Sequence, residues 1–340
     1  MKSKTSYILL FLIASVIVLI VANIAFGSVK IPFGQVFGIL AGNEPEKASW
    51  GVIVKESRLP QTITAMLCGS SLAVAGLLLQ TAFRNPLAGP DILGVNGGAG
   101  LGVALVMLLF GGNITTGSLD IGGSLSVVLG AFIGAVTVIG IILFLSGKIK
   151  NHVMLLIAGV MISYLTSSVI SLLNFFSTAE GVHSYTMWGM GNFGGVTLVQ
   201  LPFFSISTLA GLIVSLTLIK PLNALLLGDY YAENLGINIS KIRTILLLST
   251  GVLVAVSTAF CGPVSFLGLA VPHMARMLLN SNNHKSLMPT TILTGAAVAL
   301  ICNLISSLPG NRGLLPINAI TPIIGAPVIL KVLLSNRVRK

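Results

Sequence analysis

The segment RLPQTITAMLCGSSLAVAGLLLQTAFRNPLAGPDILGVNGGAG, residues 58–100, places a mostly apolar run directly before a stretch rich in glycine and proline. Residues 60–82 have about the 20-residue length that an α-helix needs to cross a bilayer. Residues 85–102 then interrupt the helical pattern. A membrane tolerates such an interruption only where protein or water satisfies the freed backbone groups. This segment therefore predicts a membrane helix followed by irregular backbone beside a cavity.

Composition places most of the chain in lipid. It has 340 residues, of which 54% are hydrophobic and only 8% are charged. A soluble domain carries about a quarter charged residues to keep its surface wet, so most of this surface must face lipid. We therefore predict an all-α polytopic membrane protein that forms a single transmembrane domain over residues 1–340.

Ten stretches are apolar enough to form membrane helices of about 20 residues. The third is rich in glycine and the eighth is short. The first has a longer apolar core than the roughly 7 to 15 residues of a secretion signal, so it is interpreted as a membrane helix. The ten predicted spans are residues 7–26, 60–82, 92–111, 122–146, 153–175, 197–219, 243–261, 264–280, 286–308 and 317–335.

The distribution of charge predicts the orientation of these spans. With the N-terminus in the cytoplasm, ten spans return the C-terminus to the same side. Fourteen basic residues then lie on the inner side against three acidic ones (Asp91, Asp229 and Glu233), whereas the outer side holds five of each sign. This excess follows the positive-inside rule. The net charge of +11 therefore reflects topology, and nothing in the sequence indicates nucleic-acid binding.

Two short glycine-proline clusters resemble each other. Residues 89–94 read GPDILG and residues 262–268 read GPVSFLG, with one extra residue. The first follows the second predicted span and the second follows the seventh. Because five spans separate them, the two copies would have opposite orientations, as in transporters built from inverted repeats. The sequence therefore predicts an inverted internal repeat.

Residues that carry chemistry are sparse in the predicted spans. Almost no charged residue lies deep in a span, and the chain has neither an H-E-x-x-H motif nor a G-x-x-x-x-G-K-[ST] phosphate loop. Cys68, Cys261 and Cys302 are scattered singly without metal-ligand spacing, which favours small buried hydrophobic residues. We predict no catalytic residue, metal or cofactor in this chain, so energy for uphill transport would come from another subunit. A sodium site built from carbonyls and hydroxyls is also compatible with these observations.

A polar insert, LGDYYAENLGINISKIR, occupies residues 227–243 on the predicted cytoplasmic side. Asp229 is a reasonable N-cap for a short helix, Gly236 a helix stop and Ser240 a cap for the next helix. Tyr230, Ala232 and Leu235 are predicted to share an apolar and aromatic side. The segment could lie on membrane lipid, but anionic lipid would disfavour its acidic residues. A protein partner explains the insert better.

Several motifs in order along the chain resemble the permease subunits of ABC importers for cobalamin, haem and ferric siderophores, the FecCD-type family. The resemblance runs from about residue 58 to 334. It is specific for the family and unspecific for the cargo. The motifs are the opening segment (58–100), LLIAGVMIS (155–163), GDYYAENLGINISKIR (228–243), CGPVSFLGLAVPHMAR (261–276) and LLPINAITPIIGAPVILKVLL (314–334).

The resemblance implies ten helices per subunit and a homodimer in the bacterial inner membrane. It also implies two separate ATP-binding subunits, which hold ATP and magnesium, and an extracytoplasmic substrate-binding protein. The insert then corresponds to the coupling helix that docks into each ATPase. The residues implied for this docking are Asp229, Tyr230, Ala232, Glu233, Leu235 and Gly236.

In the resembled family, arginines on the outer face dock the substrate-binding protein. Arg58 matches the first of these arginines, but Gln61 stands where a second is usual and Ser307 where another is often found. Arg312 is five residues further on and could substitute for the latter. Arg58 could alternatively be a charge that anchors the end of a span.

The resemblance also implies a gate at the loop that enters the fifth span. Small hydroxyl residues follow on the same span, where they could line a path or simply hydrogen-bond between helices. The residues implied for the gate and path are Asn151, His152, Val153, Ser163, Thr166 and Ser167.

Together these features predict the permease half of an ATP-driven importer for an iron-siderophore or a related large chelate such as haem or cobalamin. The alternatives are a cation-coupled secondary transporter and, from another class, a membrane-embedded enzyme or receptor. Only the importer requires a partner ATPase and a docking insert for it. A chain of this kind is not an enzyme by itself.

Overall fold

The computed structural model describes residues 2–111, 114–116, 119–121, 123–149, 151–307 and 313–337. Within these residues the chain is helical apart from one small hairpin, whose strands are β1 (Ile114–Thr116) and β2 (Leu119–Ile121). The α-helices are α1 (Lys2–Ala25), α2 (Phe33–Leu40), α3 (Ala48–Val52), α4 (Leu59–Ala82), α5 (Val95–Ala104), α6 (Ser124–Lys148), α7 (His152–Phe176), α8 (Ala179–Gly189), α9 (Leu201–Thr217), α10 (Ile219–Leu225), α11 (Asp229–Asn234), α12 (Ile239–Cys261), α13 (Leu267–Leu279), α14 (His284–Ser307) and α15 (Ile317–Arg337).

Six of the described helical segments are long and apolar enough to cross a membrane on their own: Lys4–Ala25, Ala48–Ala82, Ser124–Lys148, Val153–Phe176, Ile239–Cys261 and His284–Ser307. The segment α9–α10 adds a seventh if its 51° bend is counted as one broken span. Three shorter apolar helices, Val95–Leu109, Leu267–Leu279 and Ile317–Val332, coincide with the third, eighth and tenth predicted spans. The prediction of an all-helical, multi-pass membrane protein is confirmed.

Helix α4 lies at the centre of the molecule. In an 18-residue apolar stretch of the span Ala48–Ala82, 89% of the residues are buried, compared with 17% in the corresponding stretch of α7. Glycines allow its neighbours to approach the backbone closely. A Cβ added to Gly69 would lie 2.3 Å from the carbonyl oxygen of Gly295 in α14, and one added to Gly76 only 1.7 Å from that of Gly268 in α13. Small residues at such contacts are typical of membrane helix packing.

Helices α5 and α6 cross through a second set of glycines. A Cβ added to Gly102 would lie 1.9 Å from the carbonyl oxygen of Gly130, and one added to Gly134 would lie 2.1 Å from that of Gly98. The two glycines of α5, Gly98 and Gly102, are four residues apart, and so are Gly130 and Gly134 of α6. The two glycines of each helix therefore lie on one face. No side chain separates the two backbones at these points.

Two irregular connections precede the short helices α5 and α13, and they lie side by side. We call them break 1 (residues 83–94) and break 2 (residues 262–266). Gly94 and Gly262 have positive φ angles of 77° and 72°, which glycine adopts at little cost. The ring of Pro90 in break 1 packs on Gly268, immediately after break 2, where an added Cβ would lie 2.5 Å away. The sequence correctly predicts irregular backbone at both places.

The molecule has two distinct ends. At the first, which we call the α11 end, Arg84 just after α4 forms an ion pair with Asp229 at the start of α11. The opposite end, the hairpin end, carries β1–β2 and a small apolar cluster formed by the end of α1, by α2 and by residues 53–58. That cluster contains Ile24, Ile31, Val36, Ile39 and Val54.

Candidate functional site

The predicted insert contains a helix of one and a half turns, α11. It begins after Gly228, which has a φ of 115°, and ends before Gly236, which has a φ of 80°. The amide of Gly236 donates to the carbonyl of Glu233 at 2.8 Å, and that of Ile237 donates to Ala232 at 3.0 Å. These bonds are those of a glycine-terminated helix. Gly236 is therefore a helix stop, as predicted.

The apolar side predicted for α11 is divided between the interior and the surface. Ala232 is fully buried, whereas Tyr230 is 79% exposed, Tyr231 57% and Leu235 59%. Glu233 is exposed as well. Ala232 thus packs α11 against the protein, while two tyrosines and a leucine at the α11 end are left uncovered by this chain.

Two capping predictions in the insert are wrong. The N-cap of α11 is Gly228, and Asp229 is the first helical residue, whose carboxylate pairs with Arg84. The cap of α12 is Asn238, whose side-chain oxygen accepts from the amide of Lys241 at 2.9 Å, so Ser240 lies inside the helix. At α12 the side chain of Asn238 satisfies a first amide of the helix, whereas α11 begins without a side-chain cap.

The ion pair between Arg84 and Asp229, 2.5 Å from Nη2 to Oδ1, joins α11 to the end of α4. Arg84 adopts a positive φ of 46°, which is uncommon for a residue with a side chain and turns the chain sharply at this point. Asp229 also borders a small crevice between Ala82 of α4 and Arg243 of α12. The segment therefore contacts both the central helix and the helix that follows it.

Arg58 does not present its charge on the outer surface. Its side chain is only 6% exposed. Its guanidinium donates to the carbonyls of Ile24 at 2.9 Å, Ala25 at 2.8 Å and also Val29. Cations at a helix C-terminus are stabilised by the helix dipole and satisfy its free carbonyls. The structure therefore favours the alternative role for Arg58, an anchor at the end of a span, over docking.

Replacement of Arg58 should loosen the end of α1. In Arg58→Met, three carbonyls lose their donors, which we expect to cost about 2 to 3 kcal/mol of stability because hydrogen bonds from charged groups are strong. Arg58→Lys should recover only part, since an ammonium lacks the planar fork. Thermal unfolding of the purified protein in detergent measures both changes. Unchanged unfolding of Arg58→Met with weaker attachment of a binding protein would instead restore the docking role.

Gln61 and Ser307, the two residues that depart from the family pattern, form hydrogen bonds within the helix bundle. Gln61 donates to the side-chain oxygen of Asn303 at 2.8 Å, and Asn303 donates to Asn23 at 2.8 Å, so these amides join α4, α14 and α1. The hydroxyl of Ser307 donates to the carbonyl of Leu304 in its own helix. Arg312 lies outside the described residues.

The predicted gate residues do not form one cluster. Asn151 caps α7 through its side-chain oxygen, which accepts from the amide of Val153 at 2.8 Å, and Val153 is 62% exposed. His152 is the first residue of α7, and its side chain lies outside the described part of the structure. These residues lie at the α11 end of α7, where a gate is expected.

The three hydroxyl residues on α7 divide into two groups. Ser163 packs against Gly94 and Thr166 against Gly97, and both hydroxyls donate to carbonyls of their own helix. They therefore help α7 to pack on α5. Ser167 is exposed, and its place in a path stays a prediction.

Sequence reasoning missed a polar group in break 1. Asp91 is exposed, and its carboxylate accepts from the side-chain amide of Asn96. The oxygen of Asn96 in turn accepts from the hydroxyl of Thr258 in α12 at 2.8 Å. The distribution of charge predicts a cytoplasmic position for Asp91. In the structure, break 1 folds back against Gly159 of α7, so Asp91 lies deeper than predicted.

The described residues contain no group of three or more His, Cys, Asp or Glu side chains that could hold a metal ion. Cys68, Cys261 and Cys302 are buried, as predicted, and each is a free thiol. Cys68 and Cys261 are nevertheless neighbours, on the packed helices α4 and α12. A cavity of about 920 Å³ also opens at the hairpin end among α6, α8 and the end of α12, with Trp188 and Glu180 in its wall.

Comparison with known families identifies the chain. The model of the FecCD transport family matches residues 15–335.

The chain belongs to the FecCD transport family.

Curated relatives of this FecCD-family chain agree with that assignment. The vitamin B12 import system permease protein BtuC of Klebsiella pneumoniae is 34% identical over 288 residues, which are 85% of this chain and 84% of that protein. BtuC of Escherichia coli O9:H4 is 33% identical over 286 residues, 84% of this chain and 85% of that protein. A solved structure described as an inward-facing conformation of a metal-chelate type ABC transporter superposes with a TM-score of 0.83 at 29% identity, covering 97% of this chain and 99% of the other.

The chain is therefore a permease of the ABC importer type and a multi-pass protein of the bacterial inner membrane. The ATPase of such an importer is a separate chain.

Proposed function

We propose that the chain is the translocation subunit of an importer for an iron-siderophore or a related large chelate such as haem or cobalamin. It works as a homodimer on two ATP-binding subunits, and an extracytoplasmic binding protein delivers the cargo. The observation that carries the proposal is α11, which exposes Tyr230, Tyr231 and Leu235 at one end of a membrane protein. The names of the relatives, vitamin B12 import and metal-chelate transport, support this range of cargo.

The proposed topology has ten spans with both termini in the cytoplasm. The six long helices and the bent pair give up to seven spans, and the three short apolar helices would add the remaining three. An inverted repeat is supported by the directions of two equivalent pieces. Helix α4 ends at the α11 end and leads into break 1, whereas α12 begins there and leads into break 2. We propose that residues 1–340 form one permease domain.

Coupling proceeds from α11 to the centre of the bundle. An ATPase cleft that receives Tyr230, Glu233 and Leu235 would move α11 as the nucleotide-bound pair closes. The buried Ala232 and the Arg84–Asp229 pair then pass the movement to α4 and α12. Asp229 and Gly236 set the two limits of the docking helix. Because α4 touches its neighbours backbone to backbone at Gly69 and Gly76, it tilts with them as one body.

Reversal of the Arg84–Asp229 pair should test this link. Both side chains are partly exposed, at 45% and 37%, so the pair contributes less than about 1 kcal/mol to stability. Asp229→Arg should nevertheless lower uptake several-fold without loss of folded protein, because it places two like charges at the joint. The double variant Arg84→Asp/Asp229→Arg should recover much of the uptake. Equal uptake in the wild type, the single variant and the double variant would show that the pair carries no coupling.

The proposed gate and the proposed translocation path are both assigned to helix α7, from different observations. Asn151, His152 and Val153 lie at the α11 end of α7, where narrowing would close the inner mouth, and the exposed Ser167 faces away from the packing side of α7. Ser163 and Thr166 lie on the packing side of α7 and contact Gly94 and Gly97. Docking of the binding protein is assigned to the hairpin end as a whole, since Arg58 is buried there.

A cation-coupled secondary transporter is the second candidate. Asp91 is the kind of membrane-embedded acidic residue that such transporters use. A single carboxylate does not form a cation site, however, and membership of the FecCD family favours the importer.

The proposed function is tested by purification of the tagged chain from its native membranes in mild detergent, with co-purifying chains identified by mass. We expect a stoichiometric ATP-binding subunit. A chain that purifies alone, and that transports in vesicles without ATP, would instead establish a secondary transporter and leave α11 as a helix on lipid.

A further inference from the structure

Asp91 lies within the depth of the bilayer. The backbone of Ile92 and Leu93 packs on Gly159 of α7, where an added Cβ would lie 2.3 Å from the Ile92 carbonyl oxygen. Gly159 is seven residues from the start of α7 at His152 and 17 from its end at Phe176. At 1.5 Å per residue these distances are about 10 Å and 25 Å. A hydrocarbon layer of about 30 Å centred on α7 therefore includes this level.

Neighbouring side chains hold the carboxylate of Asp91 in place. It accepts from the Asn96 amide, and Asn96 is itself fixed by the Thr258 hydroxyl at 2.8 Å. Among the described residues, no lysine or arginine lies within ion-pair distance of Asp91. The side chain is accessible in this chain, and no basic side chain of the described residues pairs with its charge.

An unpaired carboxylate at this depth needs water, because placing such a charge against hydrocarbon is costly. Break 1 lies between α7 and α13, and α15 packs on α13. Helix α7 is the least buried of the long spans, since this chain buries only 17% of the residues in its apolar stretch. Asp91 therefore lies beside a helix whose surface this chain leaves largely uncovered, where a second copy would enclose a water-filled path.

We propose that Asp91 is a charge-selecting residue of the translocation path, which favours neutral or cationic cargo over anionic cargo. The proposal rests on the proposed transport function. Two copies in a homodimer place two fixed negative charges on the path. Low-dielectric walls concentrate the field of such charges. Neutral or cationic chelates, such as ferric hydroxamates or cobalamin, would pass more readily than strongly anionic ferric catecholates.

The charge can be measured locally, without the cargo. Asn96→Cys places a thiol beside Asp91, and the three native cysteines are buried, so they react slowly. The full permease in lipid nanodiscs is labelled with two methanethiosulfonates of similar size, one bearing trimethylammonium and one sulfonate. The ratio of their rates is then compared in Asn96→Cys and in Asp91→Asn/Asn96→Cys. Any change in the thiolate fraction affects both reagents equally and cancels in the ratio.

We expect removal of the carboxylate to lower the cation-to-anion rate ratio about tenfold, as a unit charge about 5 Å away in water predicts. Val199→Cys is the matched control. Val199 is 90% exposed in the segment between α8 and α9, and its rate ratio should not respond to Asp91→Asn.

Two results would overturn the proposal. If neither reagent labels the thiol of Asn96→Cys while both label that of Val199→Cys, the site is dry. If the thiol of Asn96→Cys is labelled but Asp91→Asn leaves the rate ratio unchanged, the carboxylate exerts no selecting charge. Both outcomes are independent of the co-purification experiment. Failure of the importer proposal would therefore appear as a missing ATPase, whatever the ratio.

Discussion

Gly76→Ala should leave little or no folded protein. The added methyl group would lie 1.7 Å from the carbonyl oxygen of Gly268, and that contact is backbone to backbone, so no side chain can rotate away. Separation of α4 from α13 would also disturb Pro90 of break 1, which packs on Gly268. We expect a loss of stability of more than about 4 kcal/mol, at the far end of the range for single substitutions. Size-exclusion profiles and thermal unfolding in detergent measure the result.

The matched control for this substitution is Gly140→Ala. Gly140 lies in α6, and an added Cβ there would meet nothing within 4 Å. Since alanine is a better helix former than glycine, this variant should be as stable as the wild type or slightly more stable. If both variants fold equally well, the close contact between α4 and α13 does not limit the fold.

The double variant Glu233→Ala/Leu235→Arg should abolish uptake while the permease remains folded and inserted. Both side chains are exposed, and Leu235 is 59% exposed, so the change alters the surface of α11 rather than its attachment at Ala232. An arginine in place of a leucine removes the apolar contact and adds a charge where the ATPase would close around it. Uptake by intact cells and the yield of co-purified ATPase measure the effect.

Asn282→Arg provides a control at the same end of the molecule. Asn282 is exposed in the loop between α13 and α14 and lies outside α11. It should retain both uptake and the ATPase. Intact uptake in the α11 double variant would contradict the coupling role, whereas equal loss in both variants would indicate a general effect of added positive charge.

The elements that the sequence predicted well are those that lipid or backbone geometry dictates. Bilayer thickness demands long apolar runs, so the six long helices were recognisable from hydropathy alone. Gly236 was recognisable as a helix stop because its backbone requires a positive φ of 80°. Gly89–Gly94 and 262–268 could be recognised as breaks, because glycine and proline together interrupt a helix.

The parts that the sequence did not predict depend on contacts between distant residues. A charge at the end of a span can face water or the carbonyls of another helix, and only the approach of α1 shows that Arg58 does the latter. Asn238 and Ser240 are both good caps, and the start of α12 decides between them. Asp91 follows a proline in what looks like a polar loop, and its depth is known only from the contact of break 1 with α7.

The short helices α5 and α13 have a consequence for biogenesis. Helix α13 has 13 residues and rises about 20 Å, which is less than the hydrocarbon thickness of about 30 Å. Neither helix can therefore cross the hydrocarbon layer by itself, so each depends on the helices that it packs on. Helix α5 packs on α6 and α7, which are synthesised after it, whereas α13 packs on α4, which is synthesised early, and on α14 and α15, which come last. The second half of the chain is thus completed on a surface that the first half has already supplied.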